Sequence, residues 1–426
     1  MTISLLKNFA SLFGAEAFCK IITFAAFAYL ARLNGPADYG HIEWAGTVLM
    51  CAGLIVDQGF SAYGAREIAK SPSETGRLVA EVVTARFMLA GFGYLAIVIF
   101  AFWFVAEKAI INLLLVYGLS LWALPLLLQW VFQGHDRMHL VGMTQAIRQM
   151  VFVLAVFVFV RGTDDLVWVG IAEVSGVTAA ALFSVWMYQR YFSNNMSPRP
   201  ALSARLFREG TPIGLSQMFW VLKMFGATFI VGLIATAEDT GYFAGAMRIY
   251  IALHTFVWLY FFNLLPSLSR AWEHGPEQFS GLISRSIRIV ASISLVGGII
   301  WFLSASFVMR SVYGESFLPG GGALRWMAGA CIAAALSGHF RFGLIAAGYQ
   351  SKEMLTAALG AVIAVVLIPV GYVNAGITGA AAVLCLAECS VLLFVWLISK
   401  GPLFDRSGDG RQAAKTSLEG IQGATL

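Results

Sequence analysis

Residues 354–399 read MLTAALGAVIAVVLIPVGYVNAGITGAAAVLCLAECSVLLFVWLIS. One charged side chain, Glu388, interrupts an apolar run long enough to cross a bilayer twice, with Asn374-Ala375-Gly376 at its middle. A hydrocarbon core about 30 Å thick needs roughly 20 apolar residues per helix, so the run predicts two spans, 354–375 and 377–399. Working outward, the same criterion predicts spans near 9–31, 40–60, 80–105, 109–133, 139–160, 166–188, 211–236, 242–265, 287–309 and 323–346. The chain is therefore expected to be an all-α polytopic membrane protein of about twelve transmembrane helices. Leu, Ile, Val, Phe and Ala follow no strict period of two, which favours helices over a barrel. Composition agrees: 12% of the 426 residues are charged, 59% are hydrophobic, and the mean hydropathy is +0.78. The first apolar run is too long for a cleavable signal, and Arg32-Leu33-Asn34-Gly35-Pro36 follows it instead of a small-residue cleavage site, so it reads as the first helix.

Lys and Arg divide unevenly between the two sides of the predicted spans. One side holds Lys7; Arg66, Lys70 and Arg77; Arg137; Arg190, Arg199, Arg205 and Arg208; Arg270 and Arg285; Lys352; and the tail cations Lys400, Arg406, Arg411 and Lys415. The other holds Arg32, Lys108, Arg161, Arg310 and Arg325. The positive-inside rule puts both termini in the cytoplasm with an even number of spans. The net charge of +5 follows from this asymmetry, and nucleic-acid binding is not expected. The polar stretch Gln189–Glu209 falls after the sixth span. The expected organisation is an N-terminal six-helix lobe (1–190), a cytoplasmic linker (191–209), a C-terminal six-helix lobe (210–400) and a disordered cytoplasmic tail (401–426). The halves echo each other: Asp38-Tyr39-Gly40 opens the second helix of one, and Asp239-Thr240-Gly241-Tyr242 the second helix of the other. Repeated halves are common in secondary transporters, whose substrate sites lie between the repeats.

Charged groups inside spans are costly unless paired or wetted, and so they mark candidate sites. The cations are Lys20, Arg86, Arg148, Lys223, Arg248 and Arg341; the anions are Glu16, Glu43, Asp57, Glu81, Glu173 and Glu388. Glu16 and Lys20 are four apart in the favourable order for a local ion pair. Several cations spread over both halves are what an anion-binding cavity needs. Arg148 and Lys223 lead that set, followed by Arg86, Arg248 and Lys20. Glu388 and Glu173 are the candidate ion carriers, because burial favours the neutral carboxyl and lets it load and release a proton. His135 and His139 have metal-compatible spacing but no third ligand nearby, so no metal site is expected. Gly320-Gly321-Gly322 lacks the Lys-Ser/Thr of a phosphate loop, and no cofactor is expected. Pro125 and Pro369 are expected to kink their helices. The five cysteines lie in spans and read as apolar packing residues.

Several strings, in order, resemble one family: bacterial flippases for lipid-linked oligosaccharides, within the multidrug/oligosaccharidyl-lipid/polysaccharide exporter superfamily. They are Tyr29-Leu30-Ala31-Arg32-Leu33-Asn34-Gly35-Pro36-Ala37-Asp38-Tyr39-Gly40; Asp57-Gln58-Gly59 with Arg66-Glu67-Ile68-Ala69; and Trp130-Val131-Phe132-Gln133-Gly134. In the second half, Gly241-Tyr242-Phe243, Arg248, Leu265-Pro266-Ser267 and Tyr313-Gly314-Glu315 extend the likeness. The resemblance implies two six-helix lobes around a central cavity. It implies as substrate an undecaprenyl-diphosphate-linked oligosaccharide, moved across the bacterial inner membrane by alternating access for O-antigen or exopolysaccharide synthesis. Polysaccharide polymerase and chain-length proteins are the implied partners. A diphosphate is a concentrated anion whose oxygens Arg matches bidentately. The family strings lie mostly at helix ends and speak to packing more than to chemistry.

Two other classes compete. A multidrug/cation antiporter of the same superfamily would favour an acidic cavity, whereas Lys and Arg are prominent here. A membrane glycosyltransferase, ligase or polymerase of the same pathway would carry a sizeable loop with catalytic groups. This chain has none, and it is not expected to be an enzyme.

Overall fold

A computed structural model describes residues 3–162, 166–192 and 202–404, excepting the side chains of 3–18, 216, 217, 220, 223 and 404. The described residues are helical and contain no strand. The α-helices are α1 (Ile3–Asp57), α2 (Phe60–Lys70), α3 (Thr75–Phe104), α4 (Lys108–Leu119), α5 (Gln129–Gly134) and α6 (Met138–Phe159). They continue with α7 (Leu166–Tyr191), α8 (Ala204–Ile234), α9 (Ala237–His274), α10 (Pro276–Tyr313), α11 (Gly321–Ala346) and α12 (Gln350–Ser399).

Among the described residues, nine stretches are long and apolar enough to cross a membrane. This number is smaller than the count read from hydropathy because two of the nine, Cys19–Lys70 and Gln350–Leu403, contain broken helices. In addition, the α8 region contributes only the shorter apolar stretch Met224–Ile234. Helix α1 breaks at Gly35, whose φ of 73° favours glycine. Pro36 restarts the helix where a missing N–H costs nothing, and Asn34 Nδ2 caps the Leu30 carbonyl at 3.0 Å. Helix α12 continues through Pro369 and breaks at Ala375 and Gly376. There the chain doubles back: a Cβ on Gly371 would lie 2.6 Å from the Gly379 carbonyl oxygen, although eight residues of straight helix span about 12 Å. Pro125 has a larger effect than a kink. The chain leaves the α-helix at Leu119, runs through short 3₁₀ turns at Ser120–Trp122 and Leu124–Leu126, and resumes at Gln129.

Helices α9 and α10 overrun their predicted spans, and only Gly275 separates them. An α-helix satisfies its own backbone hydrogen bonds in water as in lipid, so apolarity marks the membrane and not the helix end. In the expected linker, residues 204–209 form the first turns of α8, while 193–201 lie outside the described residues. The expected tail lies outside them from residue 405 onward.

The chain divides into two compact units, Met1–Val221 with Thr236–Gly241, and Leu222–Ala235 with Tyr242–Leu426. In the first, Phe60, Trp130, Phe132, Leu140, Tyr188 and Leu206 share one buried cluster. In the second, Leu268, Phe279, Ile283, Leu344, Val395 and Leu403 do so. Lipid tails are as apolar as Leu, so helices associate through close packing of small residues. The buried face of α11 follows this rule with Ala323, Ala328, Ala330, Ala333, Ala334, Ala335, Ser337 and Gly338. The large side chains Phe102, Trp103, Leu303, Phe307 and Val373 point outward.

Candidate substrate and ion-coupling site

Among the described residues of the first unit, two pairs of predicted in-span charges tie different helices together, while Glu81 pairs with Arg77 one turn away. Arg148 on α6 donates from Nη2 to Glu173 Oε1 on α7 at 2.6 Å. These side chains are 30% and 18% exposed, so the pair is partly open. A Cβ on Gly176 would lie 2.8 Å from the Arg148 carbonyl oxygen. The small residue is what lets α7 approach α6 closely enough for the pair to form. Next to Arg148 in sequence, Gln149 accepts from Thr23 Oγ1 at 2.8 Å, joining α1 to α6. Lys20, one turn before Thr23, is exposed. Two groups that the sequence nominated separately, a cation and a carboxylate, are thus partners. Chemically, a partly exposed guanidinium held by one carboxylate can exchange that carboxylate for another anion.

Arg86 is different. It is buried, with its side chain 6% exposed, and donates to Asp57 and to Ser61 Oγ. Asp57 Oδ1 also accepts from the Ser61 backbone N–H at 3.3 Å and hydroxyl at 2.9 Å. This cluster fastens α3 to the turn between α1 and α2, where Gln58 (φ 46°) and Gly59 (φ 75°) are left-handed. Helix α8 lies against the turn: a Cβ on Gly214 would meet the Gln58 carbonyl oxygen at 2.6 Å. Further out, Arg66 donates to Glu209 at 2.9 Å and Arg205 to Glu209 at 2.8 Å, while Lys70 reaches Glu67 at 3.0 Å. The Arg205 guanidinium holds the Glu209 carboxyl below the usual carboxylate range.

The remaining family strings are also packing positions. Tyr39 is fully buried. A Cβ on Gly40 would lie 2.7 Å from the nitrogen of Gly241, which belongs to the same unit, so the two glycines meet backbone to backbone. Trp130 packs on Gly64, and Gly134 abuts Ala65 and Ile68. Gln133 sits on α5 and Pro266 stays inside α9. Arg32 lies in the turns just before the α1 break. His135 Nε2 pairs with Thr75 Oγ1 at 3.0 Å and stacks on Phe192. No metal-binding cluster occurs among the described residues.

In the second unit Glu388 on α12 is 1% exposed, and Arg248 on α9 is half-buried. Arg341 Nε donates to Glu353 at 2.9 Å. The side chains of Lys223 and Glu16 lie outside the described residues. Sequence reading overlooked one polar cluster in this unit. Tyr260 Oη is 2.6 Å from Ser286 Oγ, which is 2.8 Å from Nε2 of the fully buried His339. A histidine inside an apolar span was the available signal.

A family model described as polysaccharide biosynthesis protein matches residues 5–272, more than half of the chain. The chain belongs to that family. A putative O-antigen transporter of Shigella dysenteriae is 22% identical over 186 residues, 43% of this chain and 47% of the relative, so that match spans about half of the relative's length. A putative O-antigen transporter of Escherichia coli strain K12 is 22% identical over 74% of this chain and 77% of its own. Among solved structures, an inward-facing multidrug resistance transporter of the MATE family, in the MOP superfamily, superposes with a TM-score of 0.74 at 14% identity. That superposition covers 92% of this chain and 96% of the transporter. The lipid II flippase MurJ in an inward closed conformation gives 0.66 at 14% identity over 92% and 87%. The chain shares its fold with these transporters, in agreement with the helical membrane fold expected from the sequence.

Proposed function

We propose that this protein is a flippase that carries an undecaprenyl-diphosphate-linked oligosaccharide from the cytoplasmic to the periplasmic leaflet of the bacterial inner membrane. It works by alternating access, with both termini cytoplasmic, and supplies surface polysaccharide synthesis. Polymerase and chain-length proteins take up the product, and the chain itself performs no bond chemistry. Membership of the polysaccharide biosynthesis family is the observation that carries this reading.

The Arg148–Glu173 pair supplies a mechanism. The diphosphate and Glu173 compete for one guanidinium, which binds phosphate oxygens as readily as a carboxylate. When the diphosphate takes Arg148, Glu173 is displaced as the free carboxylate. When the diphosphate leaves on the periplasmic side, Glu173 takes up a proton there, carries it inward in the empty transporter, and releases it on returning to Arg148. Substrate thereby moves outward and the proton inward, in alternation through one side chain. Lys223, Arg248 and Lys20 are retained as further cations for the anionic substrate, and Glu388 as a second proton carrier. Arg86, held by Asp57, is assigned to helix docking.

The test is flux of a fluorescent undecaprenyl-diphosphate oligosaccharide in proteoliposomes, with and without a proton gradient. Losing a charge-assisted contact of about 2–5 kcal/mol predicts at least a tenfold loss of flux in Arg148→Ala at unchanged membrane abundance. Arg148→Lys retains part of the activity, and Glu173→Gln abolishes dependence on the gradient. Normal flux in Arg148→Ala refutes the assignment. Efflux of cationic dyes without lipid flux would place the chain with the multidrug antiporters.

A further inference from the structure

The Tyr260–Ser286–His339 chain takes its direction from the tautomer of His339. His339 Nδ1 lies 3.3 Å from the carbonyl oxygen of Leu336, one turn earlier on α11. The backbone of Ser286 and Ala335 also lies at the ring; with the proton on Nδ1, facing the Leu336 carbonyl, Nε2 is the acceptor of the neutral imidazole. Ser286 must donate to Nε2 across the 2.8 Å contact. Its single hydroxyl hydrogen is thereby used. Tyr260 must in turn donate to Ser286 across the 2.6 Å contact. With its only hydrogen pointing inward, the phenolic oxygen presents lone pairs alone to anything outside. Each group has one polarity, and the polarity of the last is dictated by the first.

The outer residue of the chain is partly exposed. Tyr260 is 38% exposed, whereas Ser286 is 5% exposed and His339 0%. It lines an open cleft of about 430 Å³ together with Phe256, Leu259, Asn263 and Leu264. The inner end is packed without charge. The ring of Phe261 meets His339 edge-on, with centroids 4.8 Å apart, and sits against Gly338. From α9 the polar group at the chain is Tyr260, and from α10 it is Ser286. Arg285 and Arg288, flanking Ser286 on α10, are exposed. Arg341 on α11 and Glu353 on α12 are committed to each other.

We propose that His339 is a proton-controlled switch that reverses the hydrogen-bonding sense of Tyr260 at this cleft, admitting an anionic phosphoester when protonated. A proton on Nε2 makes that atom a donor to Ser286. Ser286 then turns its hydrogen to Tyr260, and Tyr260 turns its own outward. The cleft changes from offering an acceptor to offering a donor. Ionised phosphate oxygens only accept, so they are repelled in the first state and bound in the second. The apolar wall of Phe256, Leu259 and Leu264 beside one polar handle fits the junction between an isoprenoid chain and its phosphate. This rests on the substrate class proposed above, but the switch has a signature of its own that needs no substrate.

Two measurements on the full chain in nanodiscs test it. In ¹⁵N-histidine NMR, the resonances missing from His339→Asn should show an Nδ1–H neutral tautomer at alkaline pH. They should become doubly protonated as the pH falls, with the Nε2 shift altered in Tyr260→Phe. An Nε2–H neutral tautomer, or no titration down to the acid limit of the folded protein, overturns the switch whatever the substrate is. The second measurement is the affinity for farnesyl diphosphate as a function of pH. Binding should tighten through the same titration, by about tenfold for one hydrogen bond to a charged acceptor. That gain should vanish in His339→Asn and in Tyr260→Phe, while Ser286→Ala, which breaks the chain between them, should behave like both. A gain that survives in Tyr260→Phe overturns the role of Tyr260. A correct titration in NMR with no binding of farnesyl diphosphate at any pH overturns the phosphoester assignment alone.

Discussion

Replacing Gly176 by Ala adds one methyl group where α7 lies against α6, beside the Arg148–Glu173 pair. The new Cβ would sit 2.8 Å from the Arg148 carbonyl oxygen and 3.3 Å from Phe152 Cβ. Carbon–oxygen contacts settle at about 3.3–3.6 Å, so the helices must part by at least about 0.5 Å. The obstructing atom is backbone and cannot rotate away. Overpacking of this kind costs about 1–3 kcal/mol, while Gly→Ala in a helix returns roughly 0.8–1 kcal/mol of propensity. Gly297 on α10 has nothing within 4 Å of its would-be Cβ. Gly297→Ala therefore gains the same propensity without the clash, and the difference between the two variants isolates the contact. At about 2–4 °C per kcal/mol, and less for a long chain, the thermal midpoint of Gly176→Ala should fall roughly 2–6 °C below that of Gly297→Ala. The assay is a thiol-reactive dye melt in detergent at one fixed scan rate, since unfolding of such a protein is irreversible. The wider gap should also weaken the 2.6 Å Arg148–Glu173 bond, lowering flux in proteoliposomes. A Gly176→Ala midpoint equal to or above that of Gly297→Ala would refute the claim that backbone contact sets the α6–α7 spacing.

Removing Arg86 leaves Asp57 without the guanidinium that fastens it to α3, and breaking a buried pair costs about 3–5 kcal/mol. Arg86→Ala should therefore lose folded protein in fluorescence-detected size exclusion, unlike Arg148→Ala, and Asp57→Asn with Arg86→Gln should recover part of it. The Glu209 carboxyl, held low chiefly by Arg205, contributes stability that is present above the ordinary carboxylate pKa and lost as pH falls through its depressed folded value. Melting curves of Glu209→Gln should accordingly lack that acid decline, and high salt should shrink the difference from the parent protein, the groups being exposed. Topology is tested by single cysteines in a cysteine-free background: Asp38→Cys and Asn374→Cys should label from outside spheroplasts, and Ser73→Cys only after permeabilisation. A reversed pattern would invert the orientation.

The membrane class, the helical architecture and the family strings could be read from the chain alone, because each rests on composition or on short local patterns. Runs such as 354–399 declare a bilayer environment whatever the neighbouring helices do. Helix limits were less legible. The breaks at Gly35 and Ala375–Gly376 sit within apolar sequence, and α9 and α10 continue beyond it. Charge alone nominated Arg86 and Arg148 equally. Their difference comes from partners 29 and 25 residues away in sequence, one buried beneath a turn and the other left partly open. The contact between Gly40 and Gly241, far apart in sequence, gives both glycines a physical reason that neither string shows alone. His339 shows the limit most plainly. Its neighbours in sequence are Gly338 and Phe340, and nothing in them indicates a hydroxyl from α10 on its ring nitrogen or a phenol from α9 on that hydroxyl. Hydropathy is a property of a segment, whereas the polarity of a hydrogen-bonded chain belongs to three helices at once, so only the packed structure could decide it.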